Sequence, residues 1–275
     1  MTKWNEILLL SIILLLSIVS AFKLQNQVDS RILAYLRHGA SNYRPGVTAS
    51  NNEEFAQSLF DNQFSINVRN AVLQTQFFQK MINNTLQPEE YGGYMVQDAA
   101  YVFDAIYAFQ IAAKKSQASD SLPRDFALFC RGRAESFTSY YSYFSSEWKL
   151  RNSKSVIMGP AAATYVAFEM KLAKTDAKFL SIGILPCDML WPWVARELSN
   201  LVGESNVYRS WVDDNYSEEG SSSSTQDFVN KFFTEDDRAI SQEIFNEGMI
   251  NELNFFRSAC GEDPVDYDFG DSPQA

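Results

Sequence analysis

The chain has 275 residues, a formal net charge of −11 and a single histidine, His38. Its negative charge opposes binding to the phosphate backbone of nucleic acids, so nucleic-acid binding is excluded. We interpret the single histidine, His38, as a surface residue. Enzymes whose sites depend on histidine are therefore excluded too, namely di-iron bundles, zinc hydrolases and Ser-His-Asp hydrolases. Glycine and proline number only 12 and 8, which favours long helices over many short strands.

The first 21 residues have the pattern of a signal peptide. An apolar run covers residues 7–19, a lysine precedes it, and small residues at 19–21 provide a cleavage site. We predict a secreted or secretory-pathway protein with no stable membrane span after cleavage. An uncleaved signal anchor is the alternative. Glycosylation sequons at Asn83 and Asn215 agree with export.

The remaining chain is predicted to be one all-α domain. Residues 22–52 form an extension before it, residues 53–260 form the domain, and residues 261–275 form an acidic, disordered tail. Apolar residues recur at helical spacing and predict about eight helices around one core. In chain order, the helical segments cover residues 53–81 as one helix or two, 88–115, 125–148, 161–174, 176–201, 208–216, 228–233 and 236–260.

The three cysteines are Cys130, Cys187 and Cys260. An odd number in an oxidising compartment leaves at least one cysteine unpaired within the chain. We hypothesise that Cys130 and Cys260 form a disulfide and that Cys187 stays a free thiol, which is the state a nucleophile requires.

Asp98 is the first residue that indicates chemistry. It lies in an otherwise apolar helix, and Tyr101 follows it three residues later on the same helix face. A carboxylate in such a helix costs free energy unless it is paired or used. The alternative to a functional role is a buried aspartate that hydrogen-bonds a neighbouring helix.

Cys187 and Glu252 are the other two reactive candidates. Pro186 predicts that Cys187 lies near a helix start, where the helix dipole lowers the pKa of a thiol. Trp191 follows Cys187 at i+4, and aromatic faces stack on flat heterocycles. Glu252 lies among apolar side chains, where burial raises a carboxyl pKa towards neutrality, as a general acid requires. The alternatives are an inert core cysteine and an exposed glutamate.

Five motifs follow one another in a defined order along the helical domain. They are Thr-Leu-Gln-Pro followed by Tyr-Met-Val-Gln-Asp within residues 85–98, Gly-Pro followed by Thr-Tyr within 159–165, Leu-Pro-Cys at 185–187, Tyr-Arg-Ser-Trp-Val at 208–212, and Glu252 in the last helix. In type and order they resemble motifs of the TenA (thiaminase II) family. The resemblance covers residues 75–259 and implies a haem-oxygenase-like multi-helical bundle.

The resemblance also implies hydrolysis at an aminopyrimidine, either the cleavage of thiamin or the deamination of an aminomethylpyrimidine derived from it. It implies that Cys187 attacks the ring, that Glu252 donates and accepts protons, and that Asp98 binds the ring nitrogen and exocyclic amine. The aromatic residues implied to line the ring are Tyr101, Tyr165, Trp191 and Tyr216. The activity of the family implies a small pyrimidine substrate. Family members need no metal or organic cofactor, and because they are often tetramers, the resemblance also implies a homo-oligomer.

The chain also departs from the family pattern. Trp191 stands where many members have tyrosine, Tyr216 lies one residue later than the usual tyrosine, and the family is normally cytosolic. A second hypothesis is therefore a secreted, non-catalytic member of the same fold that binds a small ligand or a protein. The single histidine argues against a third, a haem- or metal-dependent relative.

Overall fold

The computed structural model describes residues 54–117, 124–149 and 156–267, which contain ten α-helices, two short 3-10 helices and no β-strand. The helices are α1 (Phe55–Phe60), α2 (Gln63–Gln74), α3 (Gln76–Ile82), α4 (Pro88–Gln117), α5 (Arg124–Glu147), α6 (Pro160–Thr175), α7 (Leu180–Leu198), α8 (Arg209–Asn215), α9 (Ser224–Phe232) and α10 (Arg238–Ala259). Within these ranges, no helix combines the length and apolarity needed to cross a bilayer. The predicted signal peptide, the extension over 22–52 and His38 lie outside the described residues.

The all-helical prediction is confirmed, but the first predicted helical segment consists of three helices. The side chain of Asn62 accepts a hydrogen bond from the Ser65 backbone N–H at 3.0 Å and caps the start of α2. Thr75 separates α2 from α3 with an extended backbone at ψ 148°. The apolar period runs through both breaks, so the periodicity alone did not show them.

Helices α7 and α10 form the centre of the bundle. On α10, every residue from 244 to 256 is buried, including polar ones. On α7, residues 180–186 are buried without interruption. A helix that is buried on all sides lies inside its domain and not on the surface. Polar side chains on these two helices must therefore find partners within the protein.

Pro186 lies inside α7, so the prediction that Cys187 lies near a helix start is wrong. Proline has no N–H to donate to the carbonyl four residues earlier, and its ring needs space. Helix α10 supplies that space at Gly248, where a Cβ atom would lie 2.7 Å from Cγ of Pro186 and 3.2 Å from the backbone oxygen of Gly183. The absent side chain of Gly248 thus permits close packing of α7 on α10.

We expect Gly248→Ala to destabilise the protein by up to about 2 kcal/mol. Overpacking a core costs about 1–3 kcal/mol, and the higher helix propensity of alanine returns about 1 kcal/mol. Urea unfolding followed by circular dichroism measures the change. Gly93→Ala in α4 is the matched control, because a Cβ atom there meets nothing within 4 Å. The control should gain about 0.5–1 kcal/mol, and an equal gain in Gly248→Ala would contradict the packing argument.

The start of the predicted disordered tail packs along α10. The backbone N–H of Val265 donates to Oδ1 of Asn254 at 2.8 Å, and Nδ2 of Asn254 donates to the Val265 oxygen at 2.8 Å. The ring of Tyr267 lies 5.1 Å from that of Phe64. Polar groups of α10 and the Phe64 ring of α2 therefore contact residues at the start of the predicted tail.

Candidate active site

Four acidic or thiol side chains, Asp98, Glu169, Cys187 and Glu252, form what we call the carboxylate–thiol cluster. They lie on α4, α6, α7 and α10, and their three carboxylates are 5%, 0% and 2% exposed. Cys187 is mostly buried. The negative charges of Glu252 and Asp98 act on Cys187, and that of Glu252 acts on Glu169. The structure thus brings the three predicted reactive residues together and adds Glu169.

Two tyrosines of the site each hold one glutamate. Tyr165 Oη donates a hydrogen bond to Oε1 of Glu252 at 2.9 Å, and Tyr101 Oη donates to Oε1 of Glu169 at 2.6 Å. The two rings are in contact, with centroids 4.9 Å apart. Tyr101 and Tyr165 therefore orient carboxylates in addition to presenting aromatic surface.

Trp191 completes the surroundings of Glu252. Its Nε1 donates to Oε2 of Glu252 at 2.9 Å, so both carboxylate oxygens accept a hydrogen bond. Burial raises the pKa of Glu252 to about 7, although the hydrogen bonds from Trp191 and Tyr165 lower it. A carboxyl group with this pKa is present in both protonation states at neutral pH, which suits a residue that donates and accepts protons.

Asp98 has its hydrogen-bond partner on α5. Tyr140 Oη donates to Oδ2 of Asp98 at 2.7 Å. Burial raises the pKa of Asp98 to about 6, and the hydrogen bond from Tyr140 opposes the increase. Tyr140 is 38% exposed, so Asp98 lies on the side of the carboxylate–thiol cluster that approaches solvent. This contact agrees with the alternative in which Asp98 bonds a neighbouring helix.

The pKa of Cys187 lies well above its ordinary value, so the prediction of a thiol activated by the helix dipole is wrong. Burial is the main cause, the negative charges of Glu252 and Asp188 add to it, and Arg133 opposes it. Cys187 lies within α7, away from the free N–H groups of a helix start. In the free protein the residue is a neutral thiol, and a nearby base must take its proton before it can act as a nucleophile.

Four residues of the site were not predicted from the sequence. Glu169 follows Tyr165 by four residues in an apolar helix, and that spacing was an available signal. Asp188 directly follows Cys187 in the sequence. Its partner Arg133 lies on α5, as does Tyr140, and the sequence of α5 showed only a general excess of aromatic residues, which did not single out either one. The guanidinium of Arg133 forms two contacts with the Asp188 carboxylate, at 3.0 and 3.2 Å.

Tyr216 lies outside the carboxylate–thiol cluster. It follows the last residue of α8 and is 49% exposed. Two residues of the motif at 208–212, which precedes Tyr216, have structural contacts. Tyr208 Oη donates to the backbone oxygen of Leu86 at 2.8 Å, and Trp211 Nε1 donates to Tyr94 Oη at 3.4 Å. The motif thus attaches α8 to the start of α4.

The predicted disulfide is absent, because Cys130, Cys187 and Cys260 are all free thiols. Cys130 is buried within α5, whereas Cys260 lies at the end of α10, where its thiol hydrogen-bonds Glu90. Burial raises the pKa of Cys130 to about 12 and that of Cys260 to about 11. Neither thiol belongs to the carboxylate–thiol cluster, and both serve as internal controls for the reactivity of Cys187.

The site offers carboxylates, one thiol and aromatic rings. In the described residues, no group of three or more His, Cys, Asp or Glu side chains is arranged to hold a metal ion. The arrangement can bind an amine or cation through its carboxylates and contact a flat ring, and the Glu252 carboxyl and the Cys187 thiol are groups that can carry a proton.

Comparison with known proteins supports the fold. No protein-family model and no curated protein sequence matches the chain. A TenA homologue from Pyrococcus furiosus superposes with a TM-score of 0.59 at 16% identity, covering 74% of this chain and 99% of the other. A TenA homologue from P. horikoshii OT3 gives 0.60 at 18% identity, covering 75% and 98%. The chain therefore has the all-helical, haem-oxygenase-like fold of TenA homologues.

Proposed function

We propose that the protein is a thiaminase II-like hydrolase that acts on thiamin or an aminopyrimidine derived from it through Cys187. The observation that carries the proposal is that Cys187 lies within reach of the charges of two buried carboxylates, Glu252 and Asp98, from two other helices. These groups are a nucleophile, a proton carrier and an anchor for an amine, which together suffice for hydrolysis without histidine.

The charge of the site supports an amine-containing substrate. Asp98 and Glu252 carry negative charge within the site, whereas the positive charge of Arg133 is already paired with Asp188. A cationic or amine-bearing ring offsets buried negative charge and supplies hydrogen-bond donors. Thiamin carries both a cationic ring and an aminopyrimidine, so its chemistry complements these groups.

The proposed reaction begins with transfer of the Cys187 proton to the Glu252 carboxylate. The thiolate then adds to a carbon of the pyrimidine ring, a ring π bond breaks, and its electron pair moves to the ring nitrogen, which Asp98 binds together with the exocyclic amine. The C–N bond to the leaving group breaks with its electron pair on nitrogen, so a thiazolium departs as neutral thiazole, whereas an amine takes the proton held by Glu252. Water adds through its oxygen at the vacated carbon and gives up one proton, and the C–S bond breaks with its electron pair on sulfur, which takes a proton and regenerates the thiol.

The test is incubation of the purified protein with thiamin and, separately, with aminomethyl-aminopyrimidine, followed by chromatography of the products. We expect turnover of at least one compound by the wild type and none above background by Cys187→Ser. Cys260→Ser is the matched control and should retain full activity, because that thiol lies outside the carboxylate–thiol cluster. No turnover of either compound by the wild type overturns the hydrolase proposal. Ligand binding without turnover would instead support the non-catalytic alternative.

A further inference from the structure

Arg133 and Asp188 form an ion pair directly beside the proposed nucleophile. Nη2 of Arg133 lies 3.0 Å from Oδ1 of Asp188 and Nη1 lies 3.2 Å from Oδ2, so the guanidinium contacts both carboxylate oxygens. The two side chains are only 13% and 11% exposed. Asp188 directly follows Cys187 on α7. The pair therefore fixes a cation from α5 next to the part of α7 that carries the thiol.

The guanidinium has further contacts that hold it in the site. Its carbon lies 4.8 Å from the centroid of the Phe137 ring, which places the cation over an aromatic face. Its Nε is buried and has no hydrogen-bond partner among the described residues. A guanidinium held on one edge by Asp188 and on its face by Phe137 keeps its position when charge develops nearby.

Several charged or titratable groups face Cys187 from five helices. They are Asp98, Tyr101, Arg133, Tyr140, Tyr165, Asp188 and Glu252. Of these, Arg133 is the cation. Its charge lowers the pKa of Cys187, whereas burial and the charges of Glu252, Asp188 and Asp98 raise it.

We propose that Arg133, positioned by Asp188, is the group that stabilises the Cys187 thiolate and so makes this buried thiol reactive. When Cys187 loses its proton, the S–H bond breaks, an O–H bond forms on Glu252, and the negative charge moves from that carboxylate to the sulfur. The positive charge of Arg133 acts on the sulfur and offsets part of the cost of a buried thiolate. The choice of Glu252 as proton acceptor rests on the proposed function, but the role of Arg133 does not.

Alkylation by iodoacetamide tests this role without any substrate. The thiolate sulfur bonds to the carbon of the reagent and iodide leaves, so the rate at a fixed pH follows the thiolate fraction. Peptide mass mapping over pH 7–9 measures Cys187, Cys130 and Cys260 separately in each variant. We expect Arg133→Gln to slow Cys187 alkylation at least about fivefold at pH 8, because the amide keeps a hydrogen bond to Asp188 but carries no charge. Arg133→Lys should restore most of the rate.

Asp188→Asn is expected to change the rate in the opposite direction. Asparagine keeps one oxygen that accepts a hydrogen bond from Arg133, so the guanidinium stays in position. The variant removes a negative charge beside Cys187 and leaves the charge of Arg133 uncompensated, so alkylation at pH 8 should accelerate severalfold. A purely structural pair would instead loosen the site in both variants and accelerate alkylation in both. Equal rates in Arg133→Gln and wild type, or slower alkylation in Asp188→Asn, overturn the proposal.

Two features keep the test decisive. If Arg133→Gln fails to fold, Asp188→Asn is compared with the alkylation of Cys130, which is buried on the same helix as Arg133. Acceleration at Cys187 alone supports the charge effect, whereas acceleration at both Cys187 and Cys130 shows a loosened site and overturns the proposal. The assay is also independent of turnover. Opposite rate changes in a protein that hydrolyses neither thiamin nor aminomethyl-aminopyrimidine would support the role of Arg133 and reject the hydrolase. Hydrolysis by a protein whose alkylation rates do not change in the variants would support the hydrolase and reject the role of Arg133.

Discussion

Replacing Glu252 by glutamine is expected to lower thiamin or aminopyrimidine turnover by about 10²–10⁴-fold. The amide keeps the size of the side chain and one acceptor oxygen for Tyr165 or Trp191, but it can neither take the Cys187 proton nor return it. Because burial raises the pKa of Glu252 to about 7, the wild-type residue can do both near neutral pH. Steady-state kinetics with each compound measures the loss, and circular dichroism verifies the fold.

Trp191→Phe tests the proton-transfer role of Glu252 without changing Glu252 itself, because it removes only the hydrogen bond from the indole N–H. The indole N–H lowers the pKa of Glu252, so its removal should raise that pKa above about 7. The low-pH limb of the rate profile, which requires the carboxylate, should then move to higher pH while the maximal rate falls less than in Glu252→Gln. For the first variant, a turnover rate of Glu252→Gln within threefold of the wild-type rate would show that Glu252 takes no part in proton transfer.

Glu169→Gln is expected to remove about 3 kcal/mol of the pH dependence of stability between pH 5 and pH 8. Burial raises the pKa of Glu169 from 4.5 to about 8, although the Tyr101 hydrogen bond and the Arg133 charge lower it. The folded protein therefore keeps this carboxyl protonated where the unfolded chain ionises. Its stabilising contribution is complete below pH 4.5 and is lost as the pH rises towards 8.

Glutamine is a close mimic of the protonated side chain. Its oxygen still accepts the Tyr101 hydrogen bond, and Oε2, which its nitrogen replaces, has no hydrogen-bond partner among the described residues. Urea unfolding at four pH values gives the slope for wild type and variant. The matched control is Glu135→Gln on the exposed face of α5, which should leave the slope unchanged. A slope that persists in Glu169→Gln would show that Glu169 ionises normally in the fold.

Much of the helical architecture could be predicted from apolar spacing. The segments that became α4 to α7 and α10 were located to within a few residues, because burial of one face imposes a helical period on the sequence. The break at Asn62 and the continuation of α7 through Pro186 were missed. Capping and proline tolerance depend on what packs nearby, and Gly248 opposite Pro186 is far away in the chain.

For the site, the sequence by itself determined the reactive groups, since one histidine left Cys187, Asp98 and Glu252 as the groups able to carry chemistry. It also indicated the all-helical fold through its period and its ordered motifs. Only the tertiary structure decided the ionisation of these groups. Ionisation depends on burial and on contacts between helices. These contacts are the hydrogen bonds of Tyr165 and Trp191 to Glu252 and the Arg133–Asp188 pair beside Cys187. Charge interactions depend on distance in space, which the sequence does not state.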